Sequence, residues 1–401
     1  MNQLSPAQYS AIEKAIQRVD APFYFYDLDV LKNHLSELSS HLDDGITLWY
    51  ACKANPMSAI LKIFRNLGFG LDVASSGELE QALNTGISGE KLIATGPGKS
   101  KEYLRKLILA HVGTIVLESP NQLKWLDEVS KELEKTTEAL LRLQLDWDEG
   151  KSVLGGGDIT PFGMGLEDWK EVDLSRYENV KIKGLHVFQW GNILEVSKLS
   201  KIWERSFSEL SQFAKAMKID LKVLDLGGGL GVPYDQESPR LDFSKVASVL
   251  KELKTKYQVP QVWMELGRYS VADMGHYLTP ILDKKKTRGI TQLISEGGIN
   301  HQARVALTGQ SFPCQVFGKS GSSHEFTIHG PLCTALDKLG TYHLPESTEI
   351  GDWLIFSMAG AYGFTESMPF FLCHDLPAEV ISYQGDLMYP RPSHQANVWM
   401  V

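Results

Sequence analysis

A lysine at the end of an apolar run is the strongest chemical signal in the sequence. Lys53 lies in the run YACKANP at residues 50–56, with an apolar strand predicted before it and a loop and helix after it. An amine at the end of a buried strand can be desolvated and deprotonated, which makes it a nucleophile able to form a Schiff base. Most lysines are solvated surface residues, so position alone leaves both interpretations of Lys53 open.

Other candidate residues also follow apolar runs. Asp72, His186, the triple glycine at 227–229 and Glu265 each come at or just after the end of a predicted strand. Each has a structural alternative, because Asp72 could cap a helix, His186 could be a satisfied core histidine and the glycines could form a tight turn. Their common position favours a shared site.

The elements that must position these residues alternate between β-rich runs and segments of helical period. Eight strands are predicted, and eight is the number in a closed (β/α)₈ barrel, which we favour over an open doubly wound sheet. Active sites of such barrels lie at the C-terminal ends of the strands. The predicted strands lie near residues 47–53, 70–74, 91–95, 114–118, 139–145, 182–188, 222–226 and 261–265.

The last third of the chain changes character. Short β-rich runs among glycine and proline turns predict a mostly β C-terminal domain. We expect three parts: an N-terminal segment at 1–28 whose strand near 22–28 joins the β domain, a barrel at 29–275 and the β domain at 276–401. Its predicted strands lie near 277–282, 291–294, 325–329, 353–356 and 378–383.

Composition excludes several function classes. The 401 residues carry a net charge of −9, which argues against a nucleic-acid or anionic-membrane surface. Residues 1–20 contain several charges and no continuous apolar core, so we expect neither a signal peptide nor a membrane anchor, and a cytoplasmic protein. The four cysteines are widely spaced with no C-x-x-C pair, so we expect reduced thiols and no metal site.

The glycine run indicates a phosphate rather than a dinucleotide. The run DLGGGLGV at 225–232 lacks G-x-G-x-x-G spacing, so we reject NAD. Glycines after a strand let backbone N–H groups approach an anion, and Arg268 could bind the same phosphate. A lysine, a phosphate cradle and the lone carboxylate of Glu265 together indicate pyridoxal phosphate (PLP).

Six motifs, taken together, are highly specific. They are YACKAN at 50–55, LDVASSGEL at 71–79, the triple glycine, ELGRY at 265–269, LCT at 332–334 and GAY at 360–362. In this order they resemble the ornithine/diaminopimelate decarboxylase family of fold type III PLP enzymes, over nearly the whole chain. The resemblance implies an alanine racemase/ornithine decarboxylase-like fold, a barrel plus a C-terminal β domain.

The resemblance also implies roles in the barrel. Lys53 matches the Schiff-base lysine, His186 the imidazole stacked on the pyridine ring, and Glu265 the partner of the ring nitrogen. Asp72 is a further cofactor-binding position. A carboxylate at the ring nitrogen keeps it protonated, so the ring can accept the electron pair left when carbon dioxide departs.

The remaining implied roles concern the phosphate and the partner subunit. Gly228, Gly229, Arg268 and Tyr362 match the phosphate-binding positions. Cys333 matches the cysteine that reaches in from a second subunit and protonates Cα, which implies a homodimer with shared active sites. From its residue type alone, Cys333 would be a buried apolar thiol.

Departures from the family pattern concern the substrate. An acidic residue usually follows the catalytic cysteine and binds the distal end of a diamino acid, whereas this chain has Thr334. The lost charge-assisted contact is worth about 1.5–3 kcal/mol. Gln189 replaces the usual Ser or Thr, and Leu266 replaces a proline. Thr334 therefore argues against a free diamine precursor.

Further segments resemble decarboxylases of conjugated amino acids, namely citryl-diamino acids in siderophore assembly or a carrier-bound glutamyl group in butirosin biosynthesis. These segments are GPGK at 96–99, LGGGLGVPY at 226–234, GPLCT at 330–334 and FLCHDLP at 371–377. We favour the siderophore branch, with a carrier protein as a further partner to consider. Candidate substrate residues are Thr334, Asp337, Phe162 and Arg304.

Three alternatives stay open at this point. The closest is a decarboxylase of free diaminopimelate, ornithine, lysine or arginine. A racemase on a related barrel is disfavoured because those enzymes generally place an arginine at the ring nitrogen, where this chain has Glu265. A non-catalytic regulatory homologue could lose the catalytic pair, but the sequence retains both Lys53 and Cys333.

Overall fold

The computed structural model describes residues 4–19, 21–147, 151–152, 155–156, 159–235 and 237–400. The chain forms two compact units. The first, called the barrel unit, comprises Leu35–Val232 and Arg240–Tyr269. The second, called the β unit, comprises Met1–His34, Pro233–Pro239 and Ser270–Val401. Among the residues described, no helix combines the length and apolar character needed to cross a membrane.

Strands occur throughout both units, and they are numbered here in chain order. The strands are β1 (Phe23–Asp27), β2 (Ile46–Ala51), β3 (Gly70–Val73), β4 (Leu92–Ala94), β5 (Thr114–Leu117), β6 (Thr137–Gln144), β7 (Lys151–Ser152), β8 (Gly155–Gly156), β9 (Met164–Gly165), β10 (Val180–Val187), β11 (Val223–Asp225), β12 (Gln261–Leu266), β13 (Gly275–Thr287), β14 (Ile290–Ser295), β15 (Cys314–Val316), β16 (Ser323–His329), β17 (Lys338–Pro345), β18 (Trp353–Phe356), β19 (Ala378–Tyr383) and β20 (Asp386–Arg391).

Serine caps begin three successive helices of the barrel unit. Ser75, Ser100 and Ser119 each accept a hydrogen bond from the backbone N–H three residues later. Such caps satisfy N–H groups that have no partner within the helix. The α-helices are α1 (Pro6–Ile16), α2 (Leu28–Ser40), α3 (Ser58–Asn66), α4 (Ser76–Asn84), α5 (Lys101–Leu109), α6 (Pro120–Glu132), α7 (Leu166–Lys170), α8 (Val196–Ala216), α9 (Phe243–Tyr257), α10 (Arg268–Val271) and α11 (Arg304–Thr308).

The barrel unit is a closed parallel barrel. Its eight strands pair in the order β2, β3, β4, β5, β6, β10, β11 and β12. Closure is completed by β12, which pairs in parallel with β2. All eight strands predicted from the sequence are present, and the predicted (β/α)₈ fold class is confirmed.

An apolar layer fills one level of the barrel interior. Trp49 and Trp263 pack with ring centroids 4.9 Å apart. A Cβ at Gly70 would lie 2.2 Å from the Trp49 ring, so only glycine leaves room for that indole. We call this level the lower layer; its residues, one from each strand, are Trp49, Gly70, Ile93, Val116, Leu140, Gly184, Val223 and Trp263.

The β unit contains a large sheet in the order β17, β16, β14, β13, β1, β19 and β20. The N-terminal strand β1 is antiparallel to β13 and parallel to β19, so it lies inside this sheet. The edge strand β15 pairs with β18, which pairs in turn with β13. A buried cluster that includes Phe23, Phe25, Leu278, Ile355 and Val380 forms its core.

Three strands of the β unit were not predicted from the sequence: β15, β17 and β20. No residue of β20 is fully buried, and the strand contains Pro390, so it lacks the apolar alternation that marks a half-buried strand. Strand β17 begins at a charged residue and contains Gly340 at φ +146°. Pairing with β16 and β19, rather than local pattern, defines β17 and β20.

Candidate active site

A second layer of the barrel interior lies two residues further along every strand. Side chains two positions apart point to the same face of a strand, so this level faces inward directly above the lower layer. Seven of its eight residues are polar, and all are buried. This upper layer consists of Ala51, Asp72, Thr95, Glu118, Arg142, His186, Asp225 and Glu265.

His186 and Glu265 form the central contact of the upper layer. His186 Nε2 lies 3.0 Å from Glu265 Oε1. Burial lowers the pKa of His186, so its imidazole is neutral at neutral pH and donates from Nε2. Burial by itself raises the pKa of Glu265, but His186 and the positive charges of Lys53 and Arg142 outweigh burial and lower it to about 2. Glu265 is therefore an ionised carboxylate in a dry site.

Two neighbouring carboxyl groups have raised pKa values. Thr95 Oγ1 donates to Asp72 Oδ1 over 2.7 Å, and the N–H of Gly227 donates to Asp225 Oδ1 over 2.9 Å. Burial and the Glu265 charge raise the pKa of Asp72 to about 8 and that of Asp225 well above its usual value. The raised pKa values favour the neutral forms of Asp72 and Asp225, whereas the lowered pKa of Glu265 favours its ionised form.

The ligand atoms of His186, Asp225 and Glu265 lie within 4.8 Å of one another. One imidazole and two carboxylates could also ligate a divalent cation. The expectation that the protein has no metal site therefore stays a prediction.

Lys53 lies in the short 3₁₀ turn Cys52–Ala54, directly after β2. Its two neighbours in this turn are buried, but the Lys53 side chain is exposed. Strand β2 ends at Ala51, so Lys53 lies in the turn after the strand and not within its buried part, and the catalytic role of Lys53 stays a prediction. Its positive charge still lowers the pKa values of Asp72 and Glu265, which places the amine near the upper layer.

The triple glycine forms a turn that no other residue fits well. Gly227 and Gly229 have φ values of +62° and +119°. A Cβ at Gly228 would lie 2.7 Å from the Glu265 carbonyl oxygen, and one at Gly229 would lie 2.9 Å from the Trp190 carbonyl oxygen. The turn follows β11, and Arg268 opens α10 after β12. Backbone N–H groups of glycines, which carry no side chain, can approach a phosphate closely.

Four features of the barrel unit fit PLP. The barrel unit offers a primary amine on Lys53 and an ionised carboxylate on Glu265. Its imidazole, His186, has a buried Nδ1 without a hydrogen-bond partner, and the glycine turn follows β11. When bound, PLP supplies an electron-accepting ring for the pair left at Cα. The residues that could hold it here are Lys53, Asp72, His186, Glu265 and the glycines 228–229.

In the β unit, Cys333 is exposed in a loop at residues 330–337. Asp337 holds this loop, since its two carboxylate oxygens accept N–H groups of Ile299 and Leu332, both over 2.8 Å. Asp337 is only 1% exposed. The substrate contact expected for Asp337 is therefore replaced by a role in positioning the loop that carries Cys333 and Thr334.

Arg304 and Tyr362, two further predicted site residues, lie together in the β unit. The Arg304 guanidinium lies 4.9 Å from the centre of the Tyr362 ring. Its Nη1 also forms an ion pair of 2.9 Å with Glu366 Oε2. A mostly buried guanidinium stacked on an aromatic ring is held in one orientation, as an anion-binding group requires.

Sequence reasoning missed three charged residues of the barrel interior. Glu118 and Arg142 form a buried ion pair of 3.0 Å. Lys99 is 2% exposed and donates to the Gly96 carbonyl oxygen over 2.5 Å, and burial lowers its pKa to about 8. The sequence contains a signal for Glu118 and Arg142, because each lies two positions after an apolar residue of the lower layer and so points to the same face of its strand.

Phe162 and Gln189 lie near the end of β6. The Phe162 ring centre lies 4.6 Å from the guanidinium carbon of Arg142. The Gln189 amide donates to the Leu145 carbonyl oxygen over 3.0 Å and is 8% exposed. The glutamine that departs from the family pattern thus anchors the chain just after β6.

Comparison with known proteins identifies the family. The model of the family described as pyridoxal-dependent decarboxylase, pyridoxal binding domain, matches residues 28–272, more than half of the 401 residues. The chain belongs to this family. It is therefore a PLP-dependent carboxy-lyase, which favours neither the racemase nor the non-catalytic alternative.

Two curated relatives act on conjugated amino acids by name. L-glutamyl-[BtrI acyl-carrier protein] decarboxylase of Niallia circulans is 29% identical over 95% of this chain and 92% of its own length. The 2-[(L-alanin-3-ylcarbamoyl)methyl]-2-hydroxybutanedioate decarboxylase of Staphylococcus aureus is 29% identical over 88% of this chain and 92% of its own. Diaminopimelate decarboxylase of Bacillus subtilis is 26% identical over 87% of this chain and 84% of its own.

A solved structure shares the fold. Diaminopimelate decarboxylase from Helicobacter pylori, complexed with L-lysine, superposes with a TM-score of 0.88 at 23% identity, covering 96% of this chain and 98% of that chain. At this identity the similarity shows the fold alone.

Proposed function

We propose that this decarboxylase acts on an amino acid whose distal amine is acylated, as in a citryl-diamino acid of carboxylate-siderophore assembly. The observation that carries the proposal is the neutral side chain of Thr334, next to the exposed Cys333. An acylated amine is uncharged and needs no acidic partner, whereas a free ammonium loses a charge-assisted contact. The names of the two relatives with conjugated substrates support the same branch.

Each proposed catalytic residue has its own role at the reacting end of the substrate. Lys53 would hold PLP through its amine. Glu265, ionised and hydrogen-bonded to His186, would keep the ring nitrogen of bound PLP protonated. The Cα–carboxylate bond breaks, carbon dioxide leaves, and the electron pair stays at Cα. The Cys333 thiol then gives its proton to Cα, which completes the amine product.

Arg304 is the residue proposed to recognise the acyl group. A citryl group carries carboxylates, and a guanidinium binds a carboxylate through paired hydrogen bonds. Arg304 shares its guanidinium between Glu366 and the Tyr362 ring, so a substrate carboxylate would join an existing arrangement. A carrier-bound acyl group is the second form of conjugate that this proposal covers.

Side-by-side carbon dioxide release from citryl-ornithine, citryl-diaminopropionate, ornithine and diaminopimelate tests the proposal. We expect kcat/KM to be highest for a citryl conjugate. Higher activity on ornithine or diaminopimelate would overturn the proposal and favour the free amino-acid alternative, which the diaminopimelate decarboxylases among the relatives keep open.

Thr334→Glu should reverse part of this preference. The new carboxylate could pair with a distal ammonium, a contact worth about 1.5–3 kcal/mol, so kcat/KM for ornithine should rise about 10- to 100-fold while that for citryl-ornithine falls. Thr287→Glu, at an exposed position at the end of β13, is the matched control and should change neither value. If the ratio of the kcat/KM values for the two substrates is unchanged in Thr334→Glu, then Thr334 does not determine substrate preference.

We also propose that two copies of the chain form the active enzyme, with Cys333 serving its partner's cofactor. Cys333 and Leu336 of the 330–337 loop are exposed, Leu336 by 68%. A further apolar group in the β unit is exposed, in which Phe370 and Trp399 lie 6.3 Å apart. Exposed apolar residues that lie together are typical of a protein interface. The other exposed apolar residues nearby in sequence are Met368, Phe371, Leu372, Val398 and Met400.

A complementation experiment tests the shared site. Lys53→Ala and Cys333→Ala should each be nearly inactive, but equal amounts mixed under conditions of subunit exchange should recover about a quarter of wild-type activity, because half the dimers contain one intact site. Each variant mixed with itself is the control. Dimers that exchange, as shown by mass, but recover nothing would place Cys333 in its own chain's site.

A further inference from the structure

We propose that Glu118 is a positioning residue that holds the Phe162 loop (residues 160–163) against Arg142. The position of this loop in turn determines the affinity for the distal group of the substrate. This inference rests on the proposed function and on the prediction from the sequence that Phe162 contacts the substrate. It concerns only residues of the barrel unit.

The two oxygens of Glu118 bind two different elements. Oε1 accepts from Arg142 Nη1 over 3.0 Å, within the upper layer. Oε2 accepts from the backbone N–H of Gly163 over 2.7 Å, although 45 residues separate the two along the chain. The Glu118 and Arg142 side chains are 3% and 6% exposed. A single buried carboxylate therefore joins the upper layer to the loop that follows β6.

The remaining contacts of the loop run to the same strand. Gln144 Nε2 lies 2.9 Å from the carbonyl oxygen of Thr160 and 2.6 Å from that of Phe162. Gly163 has φ +67°, and a Cβ there would lie 2.6 Å from the Arg142 carbonyl oxygen. The loop thus lies against β6 at a separation that only glycine permits.

The contacts of Glu118 determine where the Phe162 ring lies. That ring stands 4.6 Å from the Arg142 guanidinium carbon, and Arg142 is itself oriented by Glu118. Without the carboxylate, Gly163 loses an acceptor and Arg142 loses its buried counter-charge. Both anchors of the ring weaken together, while Lys53, His186 and Glu265 keep their own contacts. The expected defect is therefore in substrate binding rather than in the chemical step.

A double-mutant cycle of Glu118→Gln and Phe162→Ala tests the coupling, with citryl-ornithine and ornithine as substrates. Each single variant should raise KM for the conjugate about tenfold, with kcat changed less than about threefold and the absorbance of bound cofactor retained. The double variant should have a KM no higher than that of either single variant, because both substitutions remove the same contact, that of the correctly positioned Phe162 ring. Glu138→Gln, which breaks the 2.8 Å ion pair with Lys183 near the start of β6, is the matched control and should leave KM unchanged.

Additive effects in the cycle, or a fall in kcat without a change in KM, would overturn the inference. If Glu118→Gln fails to fold, Gly163→Ala replaces it. The added Cβ would lie 2.6 Å from the Arg142 carbonyl oxygen and 3.0 Å from Arg142 Cγ, so it displaces the loop while the Glu118 carboxylate stays in place. An unchanged KM would then count against the inference. If wild-type enzyme acts on ornithine and not on the conjugate, the proposed function fails, and the same cycle read on ornithine still decides the role of Glu118.

Discussion

Replacing Lys53 with alanine is expected to abolish decarboxylation, with kcat reduced by at least about 10⁴-fold. The methyl side chain cannot bond to the cofactor's aldehyde, so the variant should also lose the visible absorbance of lysine-bound PLP. Because Lys53 is exposed and lies in a turn outside the strand, the substitution removes no core packing. The thermal midpoint of the cofactor-free protein should therefore change little.

The control for this experiment is Lys62→Ala, which removes another exposed lysine, on the neighbouring helix α3. It should leave both absorbance and turnover at wild-type values. Decarboxylation that persists in Lys53→Ala, with its absorbance intact, would mean that another amine holds the cofactor. Lys99 would then be the first candidate, because burial lowers its pKa to about 8 and makes a neutral amine accessible near physiological pH.

Much of the barrel followed from local pattern. Most of the eight strands are short apolar runs that are buried over most of their length, as a parallel sheet covered by helices requires. The positions of Asp72, His186 and Glu265 could also be predicted, since polar residues at the C-terminal ends of buried parallel strands lie at the same end of the barrel. The β unit was harder, because β20 has no buried face of its own and is defined by its pairing with β19.

The contacts within the site depend on long-range geometry that no local pattern contains. Asp337 resembled a substrate ligand in sequence, yet its carboxylate binds backbone N–H groups of Ile299 and Leu332. Glu118 was overlooked, although it joins Arg142 and Gly163 from different parts of the chain. Such pairings are set by the closure of the barrel and the path of its loops.

Glu265→Gln is expected to lower kcat about 10²- to 10³-fold, an effect typical of removing one preorganised electrostatic group. Glutamine has nearly the same shape, and its Oε1 can still accept the hydrogen bond from His186 that Glu265 accepts over 3.0 Å. Folding and cofactor content should therefore survive. On the proposed role of Glu265, however, the neutral amide would not keep the ring nitrogen of PLP protonated, so the electron pair at Cα would be stabilised less. Steady-state kcat and bound PLP, measured on the same samples, separate the two effects.

Asp225→Asn is the matched comparison, because it makes the same change of carboxyl to amide in the same buried trio. Burial and the Glu265 charge raise the pKa of Asp225 well above its usual value, which favours the neutral form of this group. Its amide oxygen can replace Oδ1 as the acceptor for the N–H of Gly227. The variant should thus keep kcat within about fivefold of wild type. An equal loss in Asp225→Asn and Glu265→Gln would show that the negative charge is shared between the two groups and is not held by Glu265 alone.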